Sequence, residues 1–157
     1  MMTTSSSSSA LQEDARFTKD KVLALKQYRE NLTWPRNRIP ETVLQVTDPA
    51  FPETSITREQ AREQMIASRH LLPADQAIQR FNLTNTSGTV IGDQVFLTIY
   101  VYPNTSTYTL DPLVTSMSNR KEKYHFAEAW VDVSNLERLA ASESVRGMEL
   151  VEYIEHS

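Results

Sequence analysis

Two runs of alternating side chains limit this chain more than any other feature. In "QVFLTIYVY", Gln94 to Tyr102, the residues Val95, Leu97, Ile99 and Val101 fall on one side of an extended backbone. In Tyr124 to Val133, Ala127, Ala129, Val131 and Val133 do the same. A period of two sends the intervening residues the other way, so Phe96, Tyr100, Tyr102, Phe126 and Trp130 share the opposite side. Both runs read as strands of a sheet with two apolar faces, one aliphatic and one aromatic. Helices must cover the aliphatic face, and the flanking sequence supplies them.

Asp111-Pro112 reads as the cap and first residue of a helix carrying Leu113 and Met117. Ser134 and Glu137 have the spacing of a capping box, opening a helix that turns Leu136, Leu139 and Ala140 toward the core. Met148 to Glu155 is then the last strand, with Tyr153 beside the aromatic set. Gly92-Asp93, between two β-prone runs, is a hairpin signal that fixes the strand after it. Links this short leave the helices nowhere to lie but on the sheet, and the C-terminal half reads β-α-β-α-β.

The N-terminal half is helical. Thr18 is placed to cap a helix from Lys19 to Glu30, Phe17 to staple onto Val22, and Val22, Leu25, Tyr28 and Leu32 form one stripe. "TWPRNRIPE" breaks the chain, and Pro40 starts a short helix, Glu41 to Val46, that ends before Asp48-Pro49. Thr57 and Gln60 make a further capping box, for a helix running through Ala61 and Met65 toward Leu71, where Pro73 interrupts it. Residues 74–88 read as weak helix grading into loop. The chain thus divides into a disordered Ser/Thr-rich lead, 1–16, with nothing to bury, a helical arm, 17–73, and an α+β module, 74–157; residues 17–157 form one compact unit.

The segment "AWVDVSNLERLAASESVRGMELV", Ala129 to Val151, resembles the closing strand-helix-strand of subtilisin-type propeptides and related inhibitor-like modules of secreted bacterial and archaeal proteins. Val131, Val133, Leu136, Leu139, Ala140 and Val145 stand at the positions of that family's "V-x-V-x-x-L-x-x-L-A…V" pattern. Val95 to Pro103 and Asp111 to Met117 are similar to its opening strand and first helix. "RIPETVLQV", Arg38 to Val46, resembles the helical lead-in ahead of such modules in exported proteins, particularly of methanogenic archaea. The resemblance implies a ferredoxin-like α+β sheet with helices on one face and helical additions at the N-terminus. It also implies an open sheet face that packs on a protease. One departure stands out: the family has two strands between its helices, and "SNRKEKYHFAEAWVDV" has room for about one.

Chemistry is sparse. The 157 residues carry no cysteine, which excludes disulfides, thiolate metal sites and cysteine nucleophiles. Of three histidines, His70, His125 and His156, none has a helical partner for a metal pair, and His125 and Glu128 face opposite sides of a strand. The three glycines are too few for a phosphate-cradling loop. Ser134 reads as a cap and not a nucleophile, and Glu149, Glu152 and Glu155 read as a charged strand edge. A net charge of −4 argues against nucleic acid, and no apolar run has the length of a membrane helix. No cofactor or metal is expected. Four sequons, at Asn31, Asn82, Asn85 and Asn104, stand where chance gives roughly one or two, which points to export or the cell surface and to a leader lost ahead of residue 1; the alternative is a Ser/Thr-rich cytosolic protein with accidental sequons.

The aromatic face remains: Phe96, Tyr100, Tyr102, Phe126 and Trp130, with Tyr153 as neighbour. Something must cover it. Either the N-terminal helices fold back over it with Val22, Leu25, Tyr28 and Met65 as a third layer, or a partner protein or second copy packs there. The sequence therefore points to a non-catalytic extracellular protein-interaction or assembly module. The alternatives are a subtilisin-propeptide-like inhibitor or folding assistant, and a small hydrolase or ligand-binding enzyme.

Overall fold

The computed structural model describes residues 19–83 and 90–154. The Ser/Thr-rich lead, Phe17 and Thr18, Asn85, Glu155 and His156 lie outside the described residues. The protein is α+β, with a five-stranded antiparallel sheet. Helix α1 spans 19–31, α2 Glu41–Thr47, α3 Arg58–Ala67, α4 Ala74–Arg80 and α5 Leu136–Ala141. The strands are β1 Leu71–Leu72, β2 Gln94–Val101, β3 Ser116–Lys121, β4 Phe126–Asp132 and β5 Val145–Leu150. Strand β2 is central: it pairs with β4 on one side and with β1 and β5, end to end, on the other, while β3 pairs with β4.

The alternation in β2 and β4 sorts as the sequence demands. Val95, Leu97, Ile99, Val101, Ala127, Ala129 and Val131 are fully buried and share one core with Leu136, Leu139 and Ala140 of α5 and with Leu110. The N-terminal helices join this same core. Val43 and Leu44 of α2, Met65 of α3 and the intervening Phe51 are buried in it, and Leu25, Tyr28 and Leu32 pack against it. The alternative of a third layer over the aromatic face is therefore overturned. An aliphatic face wider than α5 alone can cover recruits the amphipathic stripes first, and Val22 stays in solvent. Arg38 locks the arrangement, donating to the carbonyls of Ala140 (2.7 Å) and Val145. Tyr28 donates to Asp48 at 2.6 Å, beside the Arg36–Asp48 ion pair at 2.7 Å. Burial and that carboxylate push the Tyr28 phenol up to about 12.

Several local expectations are corrected. Two strands, not one, lie between the helical segments: β3 and β4 are joined by a 3-10 turn, Glu122–Tyr124, closed by His125 at φ 61°. Strand β3, "SMSNRK", is an edge strand with one apolar residue, and a bulge at Ser118 breaks its period, so no alternation betrays it. The helix expected from Asp111 is a run of 3-10 turns, Thr107–Leu113, capped by Ser106 with Pro112 inside, and Met117 belongs to β3. Helix α3 keeps its Thr57/Gln60 capping box but stops at Ala67, because Leu71 is drawn into the sheet opposite Val95.

Residues 90–93 are not a strand, so Gly92-Asp93 makes no hairpin. Gly92 instead makes a close approach: a Cβ there would lie 3.0 Å from the Asp132 carboxylate that its amide bonds. The last strand begins at Val145 and ends at Leu150; Val151 still donates to the Phe96 carbonyl at 3.3 Å, and residues 152–154 are not strand. The turn into α5 is capped by Asp132, whose carboxylate accepts from the Ser134 amide, and Ser134 is not the cap.

Among the described residues no helix is long and apolar enough to cross a membrane.

Candidate functional site: the second face of the sheet

The register that buries the aliphatic residues sets Phe96 opposite Trp130 and Tyr100 opposite Phe126 on the other face. The two pairs have different surroundings. Phe96 and Trp130 stack at 4.6 Å with planes 17° apart and are 7% and 4% exposed. Leu72, Phe81 and Val151 pack with them. Phe81 lies 6.1 Å from Trp130, so the end of α4 reaches the second face although the other helices occupy the first. Tyr153 also folds over this end, 6.1 Å from Phe96 and 5.2 Å from the His70 ring, and its hydroxyl donates to the Arg69 carbonyl at 2.7 Å.

The lower half is different. Tyr100 and Phe126 are half-buried with ring centres 5.9 Å apart, and Tyr102, beyond the strand end, is exposed. The Tyr100 hydroxyl donates to Glu149 at 2.5 Å, and the Arg146 guanidinium lies 5.7 Å over its ring. That hydrogen bond, then burial and the Glu149 charge, raise the Tyr100 phenol. On the same face Asn119 donates to Glu128 at 3.1 Å, and Thr98 is buried between Glu128 and Glu149 in the register. Both rings of this half keep part of their surface in solvent.

Of the six residues drawn from the sequence, the structure brings Phe96, Trp130 and Tyr153 together at one end and Tyr100 and Phe126 at the other; Tyr102 stands apart at the rim. Sequence reasoning missed Arg69 and Arg80. Arg69, at φ 65° between α3 and β1, lays its guanidinium 4.4 Å over Tyr153. Arg80, ending α4, lies 5.2 Å over Trp130 and 5.5 Å over Phe81. Both sit on segments whose local pattern shows only a solvated arginine, and their meeting depends on the tertiary path of 69–83. Burial raises the Tyr153 phenol, the two arginines oppose that rise, and Glu128 reinforces it. A cleft of about 420 Å³ opens here, lined by both arginines, Phe96, Trp130, Tyr153 and Ser118.

Elsewhere polar groups serve the fold. His70 bridges the Ser68 hydroxyl (2.8 Å) and the Val151 carbonyl (2.6 Å), and His125 turns a hairpin. A second cleft, about 550 Å³, lies beside Ser134 and Glu137, but its arginines are engaged: Arg62 pairs with Asp93 at 3.3 Å and Arg36 with Asp48. Among the described residues no cluster of three or more His, Asp or Glu has metal-binding geometry. The sequon residues Asn31, Asn82 and Asn104 are all at the surface. Comparison with protein-family models, with curated proteins and with solved structures finds no significant match.

Proposed function

We propose that this chain is a non-catalytic protein-interaction module, working outside the cell, that meets a partner protein or a second copy of itself with the second face of its sheet. The observation that carries this reading is the lower half of that face, where the paired rings of Tyr100 and Phe126 are only half-buried and Tyr102 stands exposed at the rim. Aromatic side chains offer large contact area at small entropic cost, and Tyr100 is already held in place by Glu149. Three surface sequons support an exported location.

For residues 94–150 we favour a ferredoxin-like module. In favour of it, the run goes strand, 3-10 turns, strand, strand, helix, strand, and the fourth of these strands lies beside the first, the first beside the third and the third beside the second.

Sedimentation velocity on the purified chain tests the reading. A concentration-dependent dimer that Phe126→Glu turns into monomer, with the melting temperature unchanged, supports a second copy as the partner. If the chain stays monomeric, a photo-crosslinking residue at 126 should give discrete adducts in native extract that Tyr102→Glu abolishes. Adducts no different from those of the same crosslinker at Glu137, on the helical side, would sink the reading.

The strand order and the part-exposed second face also favour a second reading, a subtilisin-propeptide-like inhibitor. The free chain should then slow a subtilisin-like protease at micromolar concentration, and no slowing removes that role.

A further inference from the structure

The described arginines divide by what they touch. Arg29, Arg36, Arg62 and Arg120 each pair with a carboxylate, and Arg38 and Arg58 are spent on backbone carbonyls. Arg138, on α5, is exposed, and Arg69, Arg80 and Arg146 touch ring faces; of these three only Arg69 and Arg80 border the cleft over Trp130. Arg69 is also fixed. Its backbone takes a left-handed conformation that is uncommon for a side chain of this kind, its amide donates to Ile66, and Tyr153 ties its carbonyl. Two guanidiniums are thus held over an aromatic floor with their donor edges free, in a chain whose net charge is −4.

We propose that this cleft selects the partner by binding a carboxylate side chain, Glu or Asp, of an acidic segment of a partner protein. The guanidinium fork matches a carboxylate in two parallel hydrogen bonds, and the more accessible side chains bordering the cleft, Leu72 and Tyr153, accept the methylene stem. A cleft of about 420 Å³ has room for one or two side chains and lies within the usual range for a small site. Glu128, two residues from Trp130 on the same face of β4, sets one carboxylate on this face of the sheet beside the two guanidiniums. That suits a monoanionic carboxylate and disfavours a dianionic phosphate. The proposal rests on the protein-contact reading above and names the chemistry of the contact.

The test uses the full chain in a Trp34→Phe background, which leaves Trp130 as the only tryptophan. A short oligoglutamate peptide should change Trp130 emission saturably at low salt and lose affinity steeply as salt is raised. Arg69→Gln and Arg80→Gln should each weaken binding roughly tenfold, the size of one lost charged hydrogen-bond pair. Arg138→Gln, on α5, should leave it unchanged. Should either Gln variant fail to fold, the Lys variant keeps the charge and removes the fork, and an intermediate affinity is expected.

No saturable change, or binding that survives the double Gln variant, overturns the proposal. Displacement of the peptide by inorganic phosphate at equal concentration also overturns it, as a general anion site. If the peptide fails while adducts at position 126 persist, the cleft does not select the partner and the protein-contact reading stands. If both fail, both fall.

Discussion

At the scale of single residues, Asp132 decides where the central sheet ends and α5 begins. Its carboxylate accepts from the Gly92 amide (2.9 Å), the Gln94 side-chain amide (3.1 Å), the Ser134 amide (2.9 Å) and the Ser134 hydroxyl (2.8 Å). Burial works to raise its pKa, but these donors outweigh burial and hold the group below the ordinary aspartate value. With the folded pKa depressed, the stabilisation is complete above the unfolded value, about 3.9, and is lost as pH falls through the folded one. Asp132→Ala should therefore cost about 2–4 kcal/mol, because it strands several donors at once, one of them on the fully buried Gln94. Ser134→Ala removes one exposed hydroxyl and keeps the amide bond to Asp132, so about 0.5–1 kcal/mol is expected. Urea melts at neutral pH compare the two, and Asp132→Asn should flatten the acid limb of the stability profile. Equal costs at 132 and 134 would mean that Ser134 is the cap after all. The sequence could not separate them, since both types are good caps and the choice depends on Gly92 approaching from the segment ahead of β2.

At the scale of elements, what was legible followed from period. The β2 and β4 alternations and the apolar side of α5 have a hydrophobic repeat that a packed face enforces, and they formed where that repeat stands, while α2 and the start of α3 formed where Pro40 and the Thr57/Gln60 capping box announce them. Strand β3 has no such repeat: it lies at the edge, carries Asn119, Arg120 and Lys121, and owes its place to β4 and to contacts with the 3-10 turns. Arg120 bonds Asp111 at 2.5 Å and Thr107 at 3.1 Å, and lies 3.8 Å over the Tyr108 ring. The hairpin itself turns on His125, a non-glycine residue in left-handed backbone. His125→Gly should thus be neutral or stabilising by up to about 1 kcal/mol, and His125→Val destabilising by more than that, because a β-branched side chain is poorly accommodated there. Thermal melts of the two variants check the sign. A clear loss of stability in the glycine variant would show that the His125 side chain, and not its backbone, holds the turn. The arginine-lined cleft was illegible for a related reason: it is assembled from segment ends around 69, 80 and 153, where no periodic signal exists.

At the scale of the whole molecule, the two faces of the sheet do different work, and substitutions should separate them. Trp130→Glu places a charge among Phe96, Phe81 and Val151 and should cost several kcal/mol. Phe126→Glu, on the half-buried lower row, should change the melting temperature little. Removal of residues 1–57 is the larger test, because it distinguishes a helical arm that shields the aromatic face from one that completes the aliphatic core. The second arrangement holds: Ile39, Val43, Leu44 and Phe51 would be lost from the core around Val95, Leu97 and Ile99, and Arg38 would release the Ala140 and Val145 carbonyls. Burying one such side chain contributes about 1.5–3 kcal/mol, so losing four approaches the 5–15 kcal/mol that holds a domain of this size together. The truncated chain should therefore show no cooperative melting transition and should bind a hydrophobic dye, with Trp130 emission shifted toward that of solvent-exposed tryptophan. A truncated chain that melts cooperatively within a few degrees of the full protein would mean that β2, β4 and α5 bury the aliphatic face unaided, and that the N-terminal helices are an appendage to the module and not part of its core.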